Sequence, residues 1–193
     1  MKITNRQVYH SHALLFPPSR IELESSDPST YRRVWRRLNL PLIDSELRET
    51  VFLLTHGKLS TRERLFRVNI LPDPYCKYCL DFEGLALIGD QKHLFCDCHL
   101  VHDVWNEFLL MLSRLCPGVS GLDKLDVLTL KFNGNEVEGE MVWLITVYVD
   151  WIWRATYERG ATRIKKEEFF GFLKFKYREC RGKIPIKEIQ FLC

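Results

Sequence analysis

Four potential metal ligands lie within one short stretch of the chain. Cys76 and Cys79 are separated by two residues, His93 follows after thirteen more, and Cys98 lies four residues beyond His93. This C-x2-C-x13-H-x4-C spacing is typical of a zinc site, because two such thiolates can turn onto one ion and zinc takes four sulfur or nitrogen donors at tetrahedral corners. Four protein donors leave no position for water, so the pattern predicts one structural Zn²⁺ ion rather than a catalytic one.

The fourth ligand has alternatives close to it in the sequence. Cys96 lies two residues before Cys98 and competes for the same corner, and His99 and His102 are also near. Two alternatives to a metal site are free buried thiols, since Cys is among the most buried residue types, and disulfides. Disulfides are disfavoured because the seven cysteines are an odd number and no apolar signal sequence precedes them.

Carboxylates elsewhere in the chain do not form a recognisable catalytic pattern. The nearest imitation of a polymerase motif is Tyr148-Val149-Asp150-Trp151, in which tryptophan stands where a second aspartate would be needed to hold two metal ions. The sequence pattern there is helical, so we interpret Asp150 as a partly buried or surface residue of a helix. A further set of acidic residues is better explained by helix caps and solvated helix starts than by a nuclease site: Asp123, Asp126, Glu136, Glu138 and Glu140. We therefore expect no catalytic activity.

The elements that position the four ligands are predicted to be helices. Apolar spacing of three and four residues indicates helices over residues 31–38, from an Asp44 N-cap to about Gly57, from a Ser60/Glu63 capping box, over 99–115, over 136–159 and over 162–181. Residues 122–130 fit a short helix or a strand, and 133–135 a turn. The fold class is thus mainly α, a helical domain around a small Cys/His zinc knuckle. The predicted organisation is a lead-in or linker over 1–28, the helical domain over 29–160 with the knuckle at 76–98, and a basic aromatic C-terminal helix and tail over 161–193.

The inward faces of these helices are also predicted. Tyr31, Val34, Trp35 and Leu38 share one side of the first helix. The helix after Ser60 is expected to bury Leu65, Phe66 and Val68. The remaining inward positions are Leu47, Val51, Leu54 and Phe52 in the second helix, Val101, Val104, Trp105, Phe108 and Leu112 after the knuckle, and Trp143, Val147, Tyr148 and Trp151 in the long helix.

Charge is segregated along the chain, although the net charge is only +3. Residues 1–70 hold 12 Lys/Arg and 7 Asp/Glu, residues 71–153 hold 5 and 13, and residues 154–193 hold 11 and 5. Contact with a polyanion would therefore involve the two basic arms rather than the acidic knuckle region. For the four arginines of the first predicted helix (Arg32, Arg33, Arg36 and Arg37), a solvent-exposed helix face is about as good an explanation as phosphate contact. The candidate phosphate-binding residues are Arg32, Arg33, Arg36, Arg37, Arg62, Arg64, Arg67, Lys165 and Lys166.

Three sequence segments, in the order in which they occur along the chain, resemble those of a known family. HGKLSTRERL (56–65), CKYC (76–79) and HLFCDCHLVHDVW (93–105) are similar to the zinc-binding module C-terminal to the reverse transcriptase of non-LTR (LINE-type) retrotransposons. The likeness covers about residues 30–160. The departures are a long loop between Cys79 and His93 and the additional Cys96, so the ligand set could be shuffled. The polymerase regions themselves have no counterpart here.

The resemblance implies a non-catalytic zinc-stabilised module that holds template RNA or target DNA beside a polymerase. A second hypothesis is a structural zinc module for protein docking, with the reverse transcriptase polypeptide as the partner, and a third is an inactive retroelement relic. We expect an intracellular protein of the nucleus or cytoplasm with reduced cysteines. We expect neither a membrane span nor a small-molecule substrate, since the most apolar run, 141–155, is interrupted by Asp150 and Arg154.

Overall fold

The computed structural model describes residues 28–115, 123–131, 139–158, 160 and 163–180. Within this part of the chain the secondary structure is helical, apart from one isolated β-bridge between Tyr75 and Ile88. The mainly α fold predicted from the sequence is confirmed. The helices are α1 (Pro28–Leu38), α2 (Ser45–Thr55), α3 (Arg62–Arg67), α4 (Lys77–Glu83), α5 (His102–Leu115), α6 (Lys124–Leu128), α7 (Gly139–Trp153) and α8 (Lys166–Cys180), with π-helical turns at His93–Asp97 and Arg154–Glu158.

Helix α7 is the centre of the fold. Every residue from Met141 to Ile152 is buried, because α1, α2, α5, α6, α8 and the first π turn all pack against this helix. A helix that is apolar on all sides needs such a complete cover. Asp150 is therefore more deeply buried than the partly buried or surface position expected for it.

An aromatic cluster joins α7 to α5 and α8. The rings of Phe108 and Tyr148 stack at 4.2 Å between centroids, and Phe169 of α8 contacts both rings edge-on at 6.1 and 5.6 Å. Such ring pairs add roughly 0.5–1.5 kcal/mol each beyond the burial of area. The predicted inward face after the knuckle is confirmed, since Val101, Val104, Trp105, Phe108 and Leu112 are all buried.

The start of α2 follows the sequence closely. The side chain of Asp44 accepts a hydrogen bond from the Leu47 amide (2.9 Å), so Asp44 is the predicted N-cap. Leu47, Val51 and Leu54 are buried as expected. The guanidinium of Arg48 donates to the carbonyl oxygen of Leu38 at the end of α1, which satisfies a carbonyl group that has no partner within that helix.

Helix α3 differs from its prediction in two respects. Its N-cap is Thr61, whose hydroxyl accepts from the Arg64 amide, so the Ser60/Glu63 capping box is wrong. The reason lies elsewhere in the chain: the Glu63 amide donates to the carbonyl oxygen of Gly89 (3.3 Å), and the Glu63 carboxylate pairs with Arg67. The expected burial is also wrong, because α3 contains no buried residue and Phe66 is exposed.

Several predictions concern the chain's less central parts. Residues 124–128 form a helix rather than a strand. The helix predicted to end at residue 159 continues past Trp153 as the π turn, which ends at Glu158. The predicted lead-in (apart from Pro28), the turn at 133–135 and the tail beyond Cys180 lie outside the described residues, and the domain boundaries stay predictions. Among the described helices, none combines the length and the apolar character that crossing a bilayer requires.

Candidate metal centre

The four predicted ligands converge on one point. The donor atoms of Cys76, Cys79, His93 and Cys98 all lie within 4.8 Å of one another. The Cys98 sulfur is 3.8 Å from that of Cys76 and 3.7 Å from that of Cys79, and Nε2 of His93 is 3.4 Å from the Cys79 sulfur. These side chains can hold one metal ion.

The separations match the edges of a zinc tetrahedron. With Zn–S bonds of about 2.3 Å and a Zn–N bond of about 2.0–2.1 Å, regular tetrahedral geometry puts two sulfurs about 3.8 Å apart and a sulfur and a nitrogen about 3.5 Å apart. The donor set of three sulfurs and one imidazole nitrogen is also one that zinc prefers.

A short backbone pairing positions the first two cysteines. The amide of Cys76 donates to the carbonyl oxygen of Leu87 (2.7 Å), and the amide of Gly89 donates to that of Pro74 (2.8 Å). Cys76 is the N-cap residue of α4, but its sulfur makes no capping bond, so it is available to an ion. One turn of α4 then brings Cys79 to the same side, and Gly84, with φ of 67°, ends the helix in the left-handed conformation that glycine tolerates best.

Gly89 allows this pairing to lie close to α3. A Cβ atom at position 89 would be 3.2 Å from the Cβ of Arg62 and 3.3 Å from the amide nitrogen of Cys76. Both contacts are tighter than ordinary van der Waals packing. The absence of a side chain at this position therefore lets the knuckle backbone and α3 approach each other.

A π-helical turn positions the other two ligands. The amide of Cys98 donates to the carbonyl oxygen of His93 (2.8 Å), which is an i→i+5 hydrogen bond. In an α-helix residues five apart differ by about 140° around the axis, so His93 and Cys98 would point to different sides. The wider turn places both on the side of the cluster. Asp90 fixes its start, because its carboxylate accepts from the His93 amide (2.7 Å).

Cys96 does not belong to the cluster, although the sequence left it as an alternative to Cys98. It is fully buried among core residues, and burial raises the pKa of its thiol above the ordinary range. His99 and His102 are exposed outside the cluster, where His99 pairs with Glu83 (2.6 Å). None of the five cysteines in the described ranges forms a disulfide.

The thiols of the cluster titrate as an interacting group. A hydrogen bond from the Cys98 thiol is the main cause that lowers the pKa of Cys76 to about 3, and it raises the pKa of Cys98. Burial, followed by the charge on Cys76, raises the pKa of Cys79 to about 11. The directions of these pKa shifts favour a single thiolate, at Cys76, when no metal is bound. A bound cation would favour three thiolates and expel the remaining protons.

The predicted phosphate-binding residues of α1 do not form a single exposed row. Arg32 and Arg36 are exposed, and neither has an ion pair in the part of the chain that the structure describes. Arg33 donates to the hydroxyl groups of Ser29 and Thr30. Arg37 is only 9% exposed and donates to the carbonyl oxygen of Leu130 (2.6 Å). Its expected place on the exposed side is therefore wrong, because it satisfies a buried carbonyl group.

The three arginines of α3 are engaged by neighbouring residues. Arg62 pairs with Asp73 (2.9 Å), and Arg67 pairs with Glu63. Arg64 donates to the carbonyl oxygen of Gly57 (2.8 Å), which follows the end of α2 in the chain. Arg67 is nevertheless mostly exposed. These contacts stabilise the entry to the knuckle, and binding a phosphate would have to compete with them.

The two predicted lysines lie at the start of α8. Lys165 is exposed, and Lys166 pairs with Glu107 of α5 (3.1 Å). Of the aromatic residues on this helix, Phe169 is buried and Phe175 is exposed. Lys166 is therefore held against α5, while Lys165 has no ion pair within the described residues.

The carboxylates considered for catalysis have structural partners. Asp150 accepts from the hydroxyl of Thr50 (3.0 Å) and pairs with Arg154 (2.9 Å). The side chain of Asp123 accepts from the Leu125 and Asp126 amides as the N-cap of α6. Glu136 and Glu138 lie outside the described residues.

Two surface features were not predicted in the sequence analysis. The first is an aromatic group in which Trp35 packs against Phe52 and His56, while 38% of Trp35 remains exposed. The second is the apolar knuckle surface, the exposed side chains of Leu80, Phe82, Leu85, Leu87 and Ile88 around the metal centre. Trp35 was assigned to an inward face because helical spacing alone does not reveal where a neighbouring helix ends. The second feature could have been found from the apolar residues that lie between Cys79 and His93 in the sequence.

Comparisons with protein-family models, with curated proteins and with solved structures give no match for this chain.

Proposed function

We propose that this chain is a non-catalytic, zinc-stabilised nucleic-acid-binding module that holds RNA or target DNA, of the type found beside the reverse transcriptase in LINE-type retrotransposons. The observation that supports the zinc part is the set of three donor separations, 3.8, 3.7 and 3.4 Å, which match three of the six edges expected of a tetrahedral Cys₃His site. The family part rests on the sequence resemblance alone. Thiolate ligands require reducing conditions, so the proposal places the protein in the nucleus or cytoplasm.

The metal is proposed to be structural. Four protein donors fill a tetrahedral sphere, so the ion would have no position at which to activate water or a substrate. Its role is to join the Tyr75–Ile88 pairing, α4 and the π turn. The Tyr75–Ile88 pairing and α4 contribute only Cys79 to the buried core, and many of their large apolar side chains are exposed. The free energy of metal binding at such a site is also folding free energy.

Nucleic-acid binding is proposed to use the basic residues that remain available. Arg32, Arg36 and Lys165 are exposed and have no ion pair within the described residues, while Arg67 is largely exposed beside Glu63. Phosphates attract such cations, and each contact releases counterions from the nucleic acid. Arg37 and Arg64 are left out of this surface, because both donate to backbone carbonyl groups of the fold.

The experiment that tests this proposal combines metal analysis with binding at two salt concentrations. Purified wild-type protein should contain one zinc per chain, and chelation should reduce its helical circular dichroism signal. The variant with Cys76→Ser and Cys79→Ser should contain no stoichiometric zinc. Affinity for labelled RNA and DNA should fall steeply between 50 and 200 mM salt, because about 0.7–0.9 counterions are released per phosphate contact. A chain without zinc whose helicity resists chelation would refute the metal centre.

Protein docking is a second candidate function, which the apolar knuckle surface favours. Phe82 is 62% exposed, and the four other apolar residues of this surface lie within six positions of it in the sequence. Soluble monomers seldom expose large contiguous apolar patches. The resemblance makes the reverse transcriptase polypeptide the partner to test. Binding to that purified polypeptide should persist at high salt and should be lost in the variant with Phe82→Ser and Leu87→Ser, with zinc content unchanged.

A further inference from the structure

The α1–α2 surface combines aromatic rings with cations that have no ion pair within the described residues. It consists of Tyr31, Arg32, Trp35, Arg36, Phe52 and His56. We propose that this surface binds single-stranded nucleic acid, with an unpaired base stacked on Trp35 and phosphates contacted by Arg32 and Arg36. The inference rests on the proposed function and adds to it a location and a preference for unpaired strands.

The aromatic groups of this surface hold Trp35 in a fixed position. Its ring centroid lies 5.2 Å from that of Phe52 and 6.1 Å from that of His56, and the latter two rings are 4.2 Å apart. Nδ1 of His56 donates to the carbonyl oxygen of Phe52 (2.9 Å), which fixes the imidazole. These contacts hold the tryptophan, and 38% of it stays exposed to a ligand. Stacking on such a ring does not depend on which base is present, because every base has a π-face.

The cations flank this ring on the same helix. Arg32 and Arg36 are four residues apart, so they are neighbours on the helix surface, and Trp35 lies between them in sequence. Both are exposed and have no ion pair with a described residue, unlike Arg62, Arg67 and Lys166. Lys131 adds a further positive charge, since its Nζ lies 5.8 Å from the ring centroid of Tyr31.

This combination distinguishes unpaired strands from duplexes. In a duplex the bases are stacked on one another, and a protein ring reaches a base face only at an end or a bulge. Duplex binding would use the two arginines but gain nothing from the tryptophan. Glu49, which is exposed on α2 one turn before Phe52, is the nearest opposing carboxylate in sequence on that helix. Its removal should strengthen binding of an anion.

The test uses the zinc-loaded full chain and a labelled mixed-sequence 12-nucleotide RNA, with the DNA strand and the RNA duplex as comparisons. Trp35→Leu should weaken single-strand binding about tenfold or more and leave duplex binding unchanged. Arg32→Gln with Arg36→Gln should make the slope of log affinity against log salt less steep by about 1.4. Lys77→Gln with Lys92→Gln, which removes two exposed charges near the knuckle, is the matched control and should have little effect.

Tryptophan fluorescence supplies a readout that does not depend on the stability of the Leu variant. Trp35 is the one exposed tryptophan of five, since Trp105, Trp143 and Trp151 are buried and Trp153 is half-buried. RNA should quench wild-type emission, and Trp35→Phe should remove most of that quenching while it retains a ring for stacking. Glu49→Gln should bind the single strand more tightly than wild type.

The outcomes separate the inference from the function on which it rests. If the wild-type chain binds no nucleic acid at low salt, the proposed function fails and the inference with it. If the wild type binds but the Trp35 and Arg32/Arg36 variants bind as well as it does, the inference is wrong and binding occurs elsewhere. Equal affinity for the duplex and the single strand, with quenching unchanged in Trp35→Phe, would also overturn it.

Discussion

The amide of Cys98 donates a hydrogen bond to the carbonyl oxygen of His93, five residues earlier, and this single π turn decides which cysteine faces the candidate metal centre. Cys96 lies inside the same turn and points into the core. Two cysteines separated by one residue thus have unrelated roles. The difference can be tested by treating them as a matched pair.

Replacing Cys98 with Ser should abolish stoichiometric zinc binding, whereas replacing Cys96 with Ala should not. The first change removes one of four donors, and the second only removes a buried sulfur, at a cost of about 1–2 kcal/mol in unfolding free energy. Metal analysis and the absorption of the cobalt-substituted protein measure the two outcomes. If the Cys96 variant loses the metal and the Cys98 variant retains it, Cys96 is the ligand and Cys98 is not.

Zinc affinity should fall as the pH falls. The raised pKa of Cys79, about 11, means that this thiol keeps its proton at neutral pH, and the raised pKa of Cys98 has the same effect. Zinc binding must therefore release about two protons, and lower pH makes that release less favourable. Calorimetric titration at pH 7 in buffers of different ionisation enthalpy counts the protons. A measured enthalpy that is independent of the buffer would contradict the titration behaviour described for the cluster.

Two glycine substitutions should have opposite signs. Gly89→Ala should destabilise the protein by about 1–3 kcal/mol, because the new Cβ meets the Arg62 Cβ and the Cys76 amide at less than 3.4 Å. Gly171→Ala in α8 should stabilise it by about 0.5–1 kcal/mol, since that position is helical and has open space around it. Chemical denaturation of both variants provides the comparison. A neutral Gly89→Ala variant would show that α3 and the knuckle backbone can separate without cost.

Arg37 and Arg36 should behave as a structural and a binding residue, respectively. Arg37→Met leaves the carbonyl oxygen of the fully buried Leu130 without this donor, and should cost about 1–3 kcal/mol in unfolding free energy. Arg36→Met should change stability by less than about 0.5 kcal/mol. Thermal unfolding and RNA binding of the folded variants distinguish the two roles. Unchanged stability in Arg37→Met would return this residue to the list of phosphate ligands.

The sequence predicted those features that depend on neighbouring residues. The Asp44 cap involves a contact three residues away, and the inward face after the knuckle follows from helical periodicity. The convergence of four ligands followed from the chemistry of zinc, because cysteine and histidine at this spacing have few other uses. Each of these signals is contained within about twenty-five residues.

The features that the sequence did not predict depend on distant contacts. Arg37 is buried because a carbonyl group 93 residues away needs a donor, and Glu63 does not complete a capping box because Gly89 occupies its amide. The choice between Cys96 and Cys98 required the π turn, for which no residue pattern is diagnostic. Trp35 was assigned inward because its spacing matched Val34 and Leu38, but the cover that α2 provides reaches only part of its ring.

The phenol of Tyr148, on the innermost helix, donates to the carbonyl oxygen of Phe95 within the π turn (2.6 Å). The turn that carries two of the candidate ligands is therefore joined to the buried helix α7 by a direct hydrogen bond. With zinc bound as proposed, metal release and global unfolding would share one cooperative transition, and cellular zinc supply would set how long each copy survives proteolysis.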